Sequence, residues 1–319
     1  MSTRYLFTDS PQSVQSKRLV NIYADEIQPC VHQLTKQKWM YIGAVFEDVG
    51  SDLLDRLLNA RYAKHMSGWE SRVEQNDTKL HWNELKDVAN KKFLAQRWLD
   101  FMLNDCGPEY RNLRFSILGI NVSNLNLAEF GTEQQFSTIY NRFFRSLVFH
   151  AMSMFYGREV TVNQIYHEEG IQEQHKYFTW HTKYRLAQDL GIASINPEIE
   201  YLPKDHKKNN LSNYIQLIDM LLGMYKDLHL GVNHETYPAA KAELLEHSFI
   251  SDVIEARVLR SPNNPNSSYG HHDRFNISLY ARNKTDPDDI ERKQDNFYDI
   301  TKESLAYYDS TQPTLGLLG

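Results

Sequence analysis

Residues 19–26, Leu-Val-Asn-Ile-Tyr-Ala-Asp-Glu, form an apolar run that breaks off in two carboxylates. Val20, Ile22 and Tyr23 are β-branched or aromatic, and the run has ordinary strand length, so it reads as the first and central strand of the fold. In an open sheet with helices on both faces, ligands sit at the carboxyl ends of the strands, which places Asp25 where chemistry is usually done. Side chains alternate across a strand, so Asp25 and Glu26 point to opposite faces and only one can join a given carboxylate cluster directly. A solvated acidic pair ending a strand is the plainer reading of the same residues, and other acids must decide between the two.

Further strands are predicted over 39–46, 113–122, 159–166 and 198–202 from their β-branched and aromatic content. Apolar residues at helical spacing predict helices over 53–62, 94–102, 136–151, 177–190 and 212–230. The resulting order, β-β-α-α-β-α-β-α-β-α, describes an α/β fold with a mixed five-stranded sheet flanked by helices. Residues 1–17 read as a polar N-terminal arm, 18–230 as the domain, and 231–319 as a helical and irregular C-terminal extension. Within the extension, the Asn-, Ser- and Pro-rich stretch 261–289 offers few core residues and reads as a polar loop, dispensable for folding.

No apolar run approaches the ~18 residues of a membrane span, and the first residues lack a signal-peptide core, so the expected compartment is cytoplasmic with no membrane partner. Cys30 and Cys106 have no metal-like spacing, which leaves neither a zinc site nor a disulfide framework. A formal charge of −6 argues against a general nucleic-acid coat protein while allowing a local basic surface.

The most informative acid is Asp219. It shares one helix face with Gln216 and Gly223 inside a segment otherwise apolar nearly all round. A carboxylate there is costly unless it is paired, hydrogen-bonded or bound to metal. Four acids then stand where an α/β fold could gather them: Asp25 and Glu168 at strand ends, Glu84 ahead of a helix, and Asp219. Clustered carboxylates repel unless divalent cations intervene, so the natural occupant is Mg²⁺ or Mn²⁺. Two such ions about 4 Å apart can activate a water and stabilise the leaving oxygen of a phosphodiester.

A first strand ending in Asp25-Glu26, a downstream Glu84-Leu85-Lys86 element and a late helix carrying Gln216 and Asp219 followed by Leu-Leu-Gly resemble domain of unknown function 3800, a family of the ribonuclease-H-like superfamily. The similarity covers roughly residues 18–230. It implies a ribonuclease-H-like fold with a carboxylate metal site on Asp25, Glu84 and Asp219, and prefers Asp25 over Glu26 because the superfamily's first-strand aspartate stands there. Glu168 and Glu169 both fit the fourth position. Ile27-Gln28 replaces the Ser-Gly that commonly follows the Asp-Glu pair in the family. The reaction so implied is metal-dependent nuclease hydrolysis of DNA or RNA in a defence or mobile-element setting.

Lys86, Lys207 and Lys208 are the candidate phosphate contacts, and Gln216 a contact to the nucleic-acid strand or a partner that orients Asp219. A solvated loop is the commoner role of such a lysine run. His81 and His167 could relay protons, though a lone histidine is more often structural. Two other classes compete with the nuclease: a catalytically degenerate module that binds nucleic acid or protein, and a metal-dependent phosphoesterase acting on a small nucleotide.

Overall fold

The computed structural model describes residues 18–32, 35–62, 78–85, 89–105, 113–156, 160–175, 178, 198–231, 237–250 and 274–280. Lys86, the N-terminal arm, the helix predicted over 177–190 apart from Phe178, and most of the polar stretch 261–289 lie outside them.

The protein is α/β, with a mixed sheet of six strands flanked by helices. The strands are β1 (Arg18–Val31), β2 (Lys38–Asp48), β3 (Leu113–Asn121), β4 (Val160–Glu168), β5 (Ile199–Leu202) and β6 (Phe275–Tyr280). Their order is β5-β4-β1-β2-β3-β6, so β1 is internal as predicted. β1, β2 and β3 are antiparallel neighbours, while β4 pairs parallel with β1 and β5 parallel with β4. The helices are α1 (Leu53–Tyr62), α2 (Ala89–Asp100), α3 (Gln135–Tyr156), α4 (Ser212–Leu230) and α5 (Ala239–Leu245).

Alternation along β1 and β2 sorts two cores. Val20, Ile22, Ala24, Met40, Ile42 and Ala44 pack with Ile139, Phe143 and Leu147 of α3 on one face. Tyr23, Tyr41 and Val45 pack on the other with Leu217 and Leu221 of α4 and with Leu57 and Trp98 of α1 and α2. Asp25 continues the second set, Glu26 the first.

Two expectations are corrected. The sheet has a sixth strand: β6 lies inside the stretch read as a polar loop and pairs parallel with β3, from Phe115↔Phe275 to Ile120↔Tyr280. Its Phe275, Ile277 and Leu279 are buried, and the alternating Asn276 and Ser278 are buried too, with the Asn276 amide donating to Ser116 Oγ at 3.2 Å. The strand is apolar on alternate residues only, which the polar context masks. Nor does β1 end at Glu26. It runs on to Val31 because its hairpin pairing with β2 continues, across an irregularity between Ile27 and Cys30, to Val31↔Lys38. What stops near the acids is the pairing with β4, whose last partner on β1 is Ala24, opposite His167. Asp25 therefore sits where the central strand loses its parallel neighbour, and a cleft opens there.

Candidate functional site

The height of α4 over the sheet is set by a glycine. Gly43 of β2 pairs with Asp25, and a Cβ built on it would lie 2.8 Å from Leu222 Cγ and 3.1 Å from Ile218 Cγ2 of α4. Only a bare backbone lets the helix settle so close at the level of Asp25. The next turn of α4 is shaped by the same device, since a Cβ on Gly223 would lie 2.2 Å from Trp82 Cγ. The buried Trp82 indole fills that notch, pinned at both ends: its backbone N–H donates to Asp219 Oδ2 and its Nε1 to Asp227 Oδ2, each at 2.7 Å.

Docking of Trp82 carries the preceding residues into the site. His81 brings its Nδ1 to 3.1 Å from Asp219 Oδ2. The segment is also tied through Gln216, whose Oε1 accepts from the Arg61 guanidinium at 2.7 Å and from Leu80 N at 2.9 Å. Gln216 Nε2 donates to Lys204 O at 2.9 Å and lies 3.1 Å from His206 Nδ1. With its amide so engaged, Gln216 joins α4 to the 78–81 segment and to the loop after β5.

The result is a narrow cleft, open at its mouth, lined by Asp25, Lys79, Leu80, His81, Glu168, Lys204, Ile215, Gln216 and Asp219. Three of the four predicted acids, Asp25, Glu168 and Asp219, thus share one cleft although they come from β1, β4 and α4. Asp25 is only 3 % exposed and its Oδ1 accepts the Glu26 N–H at 2.8 Å. Burial, then the charges of Glu26 and Asp219, push its carboxyl well above the usual range, against the opposing pull of Lys204 and His167. Glu168 is buried and meets Lys204 Nζ at 2.5 Å, whereas Glu169 is exposed, so of the two acids only Glu168 lines the cleft.

Glu84 is not brought in. Its side chain is 51 % exposed and pairs with Lys91 Nζ at 3.3 Å. Slight burial pushes its pKa up, but the hydrogen bond and charge of Lys91, with Lys79 and His81, outweigh it and hold the carboxyl below the usual range. The short helical turn Trp82–Glu84 is anchored by Trp82, and Glu84 pairs with Lys91 instead of lining the cleft. Lys207 and Lys208 are exposed on the turn before α4 and do not line the cleft; Lys79 and Lys204 do.

Behind Asp25, on the α3 face, lies a second titratable group of residues. His167 Nδ1 lies 2.8 Å from the Glu168 carbonyl, which can only accept, so Nδ1 carries the proton and Nε2 accepts from Tyr140 OH at 2.5 Å. Burial lowers the His167 pKa to about 4, with Asp25 pulling the other way. Glu26 Oε2 stands 3.4 Å from the same Nε2. Burial pushes the Glu26 carboxyl up to about 7, against the Gln172 amide and the charge of Lys204. In the sequence, alternation admits only one of Asp25 and Glu26 to a shared cluster and the resemblance selects Asp25, which sets Glu26 aside; nothing there marks Tyr140, Gln172 or Lys79 for a site.

The donors of the cleft are hard carboxylate oxygens with too little positive charge around Asp25, which is the chemistry of a Mg²⁺ or Mn²⁺ site. Among the described residues, no three acid, histidine or cysteine side chains converge as a finished metal-binding set. The donors fit the ion in kind, and Asp25, Glu168 and Asp219 are the residues that would hold it.

No family model and no curated protein matches the chain. Among the described residues no helix is long and apolar enough to cross a membrane.

Proposed function

We propose that the protein is a metal-dependent nuclease of ribonuclease-H-like fold, hydrolysing a phosphodiester at the Asp25 cleft. The observation that carries this reading is the convergence of Asp25, Glu168 and Asp219, drawn from three separate elements, on one cleft bordered by Lys79 and Lys204. Buried carboxylates gathered without equal counter-charge are costly to folding and are kept where a cation is used. The internal β1 in a mixed sheet with helices on both faces agrees with the fold that the resemblance to domain of unknown function 3800 implies.

In this reading Asp25, Glu168 and Asp219 hold Mg²⁺ or Mn²⁺, which when bound supplies charge neutralisation and an acidified water. Lys79 and Lys204 draw the phosphate to the mouth, giving the acidic chain the local basic edge a nucleic acid needs. Trp82 and Gln216 fix the walls, and His81 is held against Asp219. The competing reading, a degenerate module that binds nucleic acid without cutting it, draws on Glu84 standing outside the cleft.

The test is cleavage of single-stranded and duplex DNA and RNA with Mg²⁺ or Mn²⁺, with and without a chelator, for the wild type, Asp25→Asn and Asp219→Asn. Both variants should lose at least ~100-fold of activity, since even indirect partners of a metal cost 10–100-fold. Asn at 219 can still accept the Trp82 N–H, so that variant should unfold at an unchanged or higher denaturant concentration. Cleavage that survives the chelator or Asp25→Asn overturns the nuclease assignment. Nucleic-acid binding with no cleavage by any of the three proteins selects the degenerate module.

A further inference from the structure

Lys204 stands in an unusual place for a lysine with an exposed stem. It follows β5, on the same edge of the sheet as the end of β4, and its Nζ reaches inward to Glu168 Oε1 at 2.5 Å while 42 % of the side chain stays in solvent. Its charge is also felt by Asp25 and Glu26, which have no other lysine or arginine among their principal influences. Its backbone carbonyl is held by Gln216 Nε2, so the attachment point of the side chain is fixed while the ammonium, on a four-carbon stem, is free to move.

We propose that Lys204 is a tethered counter-cation: its ammonium stands among Glu168 and Asp25 where the divalent ion of the proposed reaction belongs, and leaves when that ion enters. The inference rests on the metal-dependent reading above and adds to it a regulation of loading. An ammonium is one charge against two and offers no open coordination position, so it neutralises the apo cleft without activating water. Once displaced, Lys204 swings to the mouth beside Lys79, where a substrate phosphate is the nearest anion able to receive it. Loading and substrate contact are thereby linked: a phosphate at the mouth favours the outward lysine, and the outward lysine favours the ion.

The experiment measures Mn²⁺ affinity directly, by the electron paramagnetic resonance signal of free Mn²⁺, with no substrate and no activity readout. The proteins are the full chain as wild type, Lys204→Met, Lys204→Arg and Lys38→Met, the last an exposed lysine at the far end of the β1–β2 hairpin that controls for net charge. Lys204→Met should bind Mn²⁺ about tenfold more tightly, because both the competitor and its repulsion are gone. Lys204→Arg keeps the charge and should stay close to wild type, and Lys38→Met should shift affinity by no more than about twofold. Equal affinity in wild type and Lys204→Met, with Mn²⁺ bound by both, overturns the counter-cation and leaves the metal site standing. Absence of Mn²⁺ binding in both proteins overturns the counter-cation and the metal-dependent reading together. A comparable gain in Lys38→Met would show a net-charge effect and also overturn it.

Discussion

The notch between Gly223 and Trp82 makes a sharp prediction, because two ordinary rules oppose each other there. In an exposed helix Gly→Ala stabilises by about 1 kcal/mol through propensity alone. At position 223 the added Cβ would lie 2.2 Å from both Cγ and Cδ1 of Trp82 and 2.5 Å from its Cβ, against a carbon contact distance of ~3.5–4.0 Å. The ring must therefore retreat by more than an ångström, and it has nowhere to go: it is 1 % exposed and anchored by 2.7 Å hydrogen bonds to Asp219 and Asp227. Overpacking costs about 1–3 kcal/mol and each strained bond to a carboxylate up to about 1.5–3 kcal/mol. With one of the two bonds strained and less the propensity gain, Gly223→Ala should destabilise by roughly 1.5–5 kcal/mol. Urea unfolding would read this as a lower midpoint at unchanged slope. In a Trp82→Leu background the same substitution should be neutral or stabilising, and that sign reversal identifies the ring as the cause. A stabilised Gly223→Ala single variant would refute the reasoning.

Two further outcomes are expected. Glu26 is raised in the folded state from 4.5 to about 7, so its contribution to stability is full below pH 4.5 and is lost as pH rises through 7, by roughly 3 kcal/mol in the metal-free protein. Glu26→Gln should flatten that decline in denaturation curves taken between pH 5 and 8, and a variant that keeps the wild-type decline would rule the assignment out. Phe275→Ala removes a fully buried ring that meets Phe115 and Phe249 edge-on, and should cost about 3–5 kcal/mol by chemical denaturation; a change under 1 kcal/mol would mean that β6 contributes little to the core.

How much of this was legible depends on what each signal encodes. The first five strands announce themselves as apolar runs, and Asp219 announces itself as a charge in an apolar helix, because both are local properties of composition and period. β6 hid for the opposite reason: its Phe-Asn-Ile-Ser-Leu-Tyr pattern alternates correctly, yet Asn276 and Ser278 are buried, and the Asn276 amide donates to Ser278 Oγ and to Ser116 Oγ, the latter far away in sequence. The continuation of β1 past Glu26 was concealed because the apolar run breaks off in two carboxylates, whereas what carries the strand on is its pairing with β2. The placement of Glu84 and of the lysines depends on direction. Whether a residue in a short turn faces a cleft depends on which neighbour is anchored, and here Trp82 is the anchor; a lysine run shows the presence of charge but not that Lys204, rather than Lys207 or Lys208, reaches inward.

Alternation misled in a more instructive way. It assigned Asp25 and Glu26 to separate faces, and they are on separate faces, but separation does not isolate them electrostatically. β4 ends its pairing at Ala24, so beyond that residue β1 keeps only β2 as a neighbour, and the charge of Glu26 raises the Asp25 carboxyl. Glu26 with His167 and Tyr140 forms a proton-holding layer behind Asp25, while His81 and Asp219 stand in front of it. Lys204 is the cation whose charge acts on Asp25 and Glu26 together. A buried acid that must be neutralised can take a proton, an ammonium or a metal ion, and this cleft holds the first two in positions from which the third could displace them. Under the metal-dependent proposal the protons and the lysine belong to one balance, in which the resting site is kept foldable by charges that the proposed divalent ion would displace.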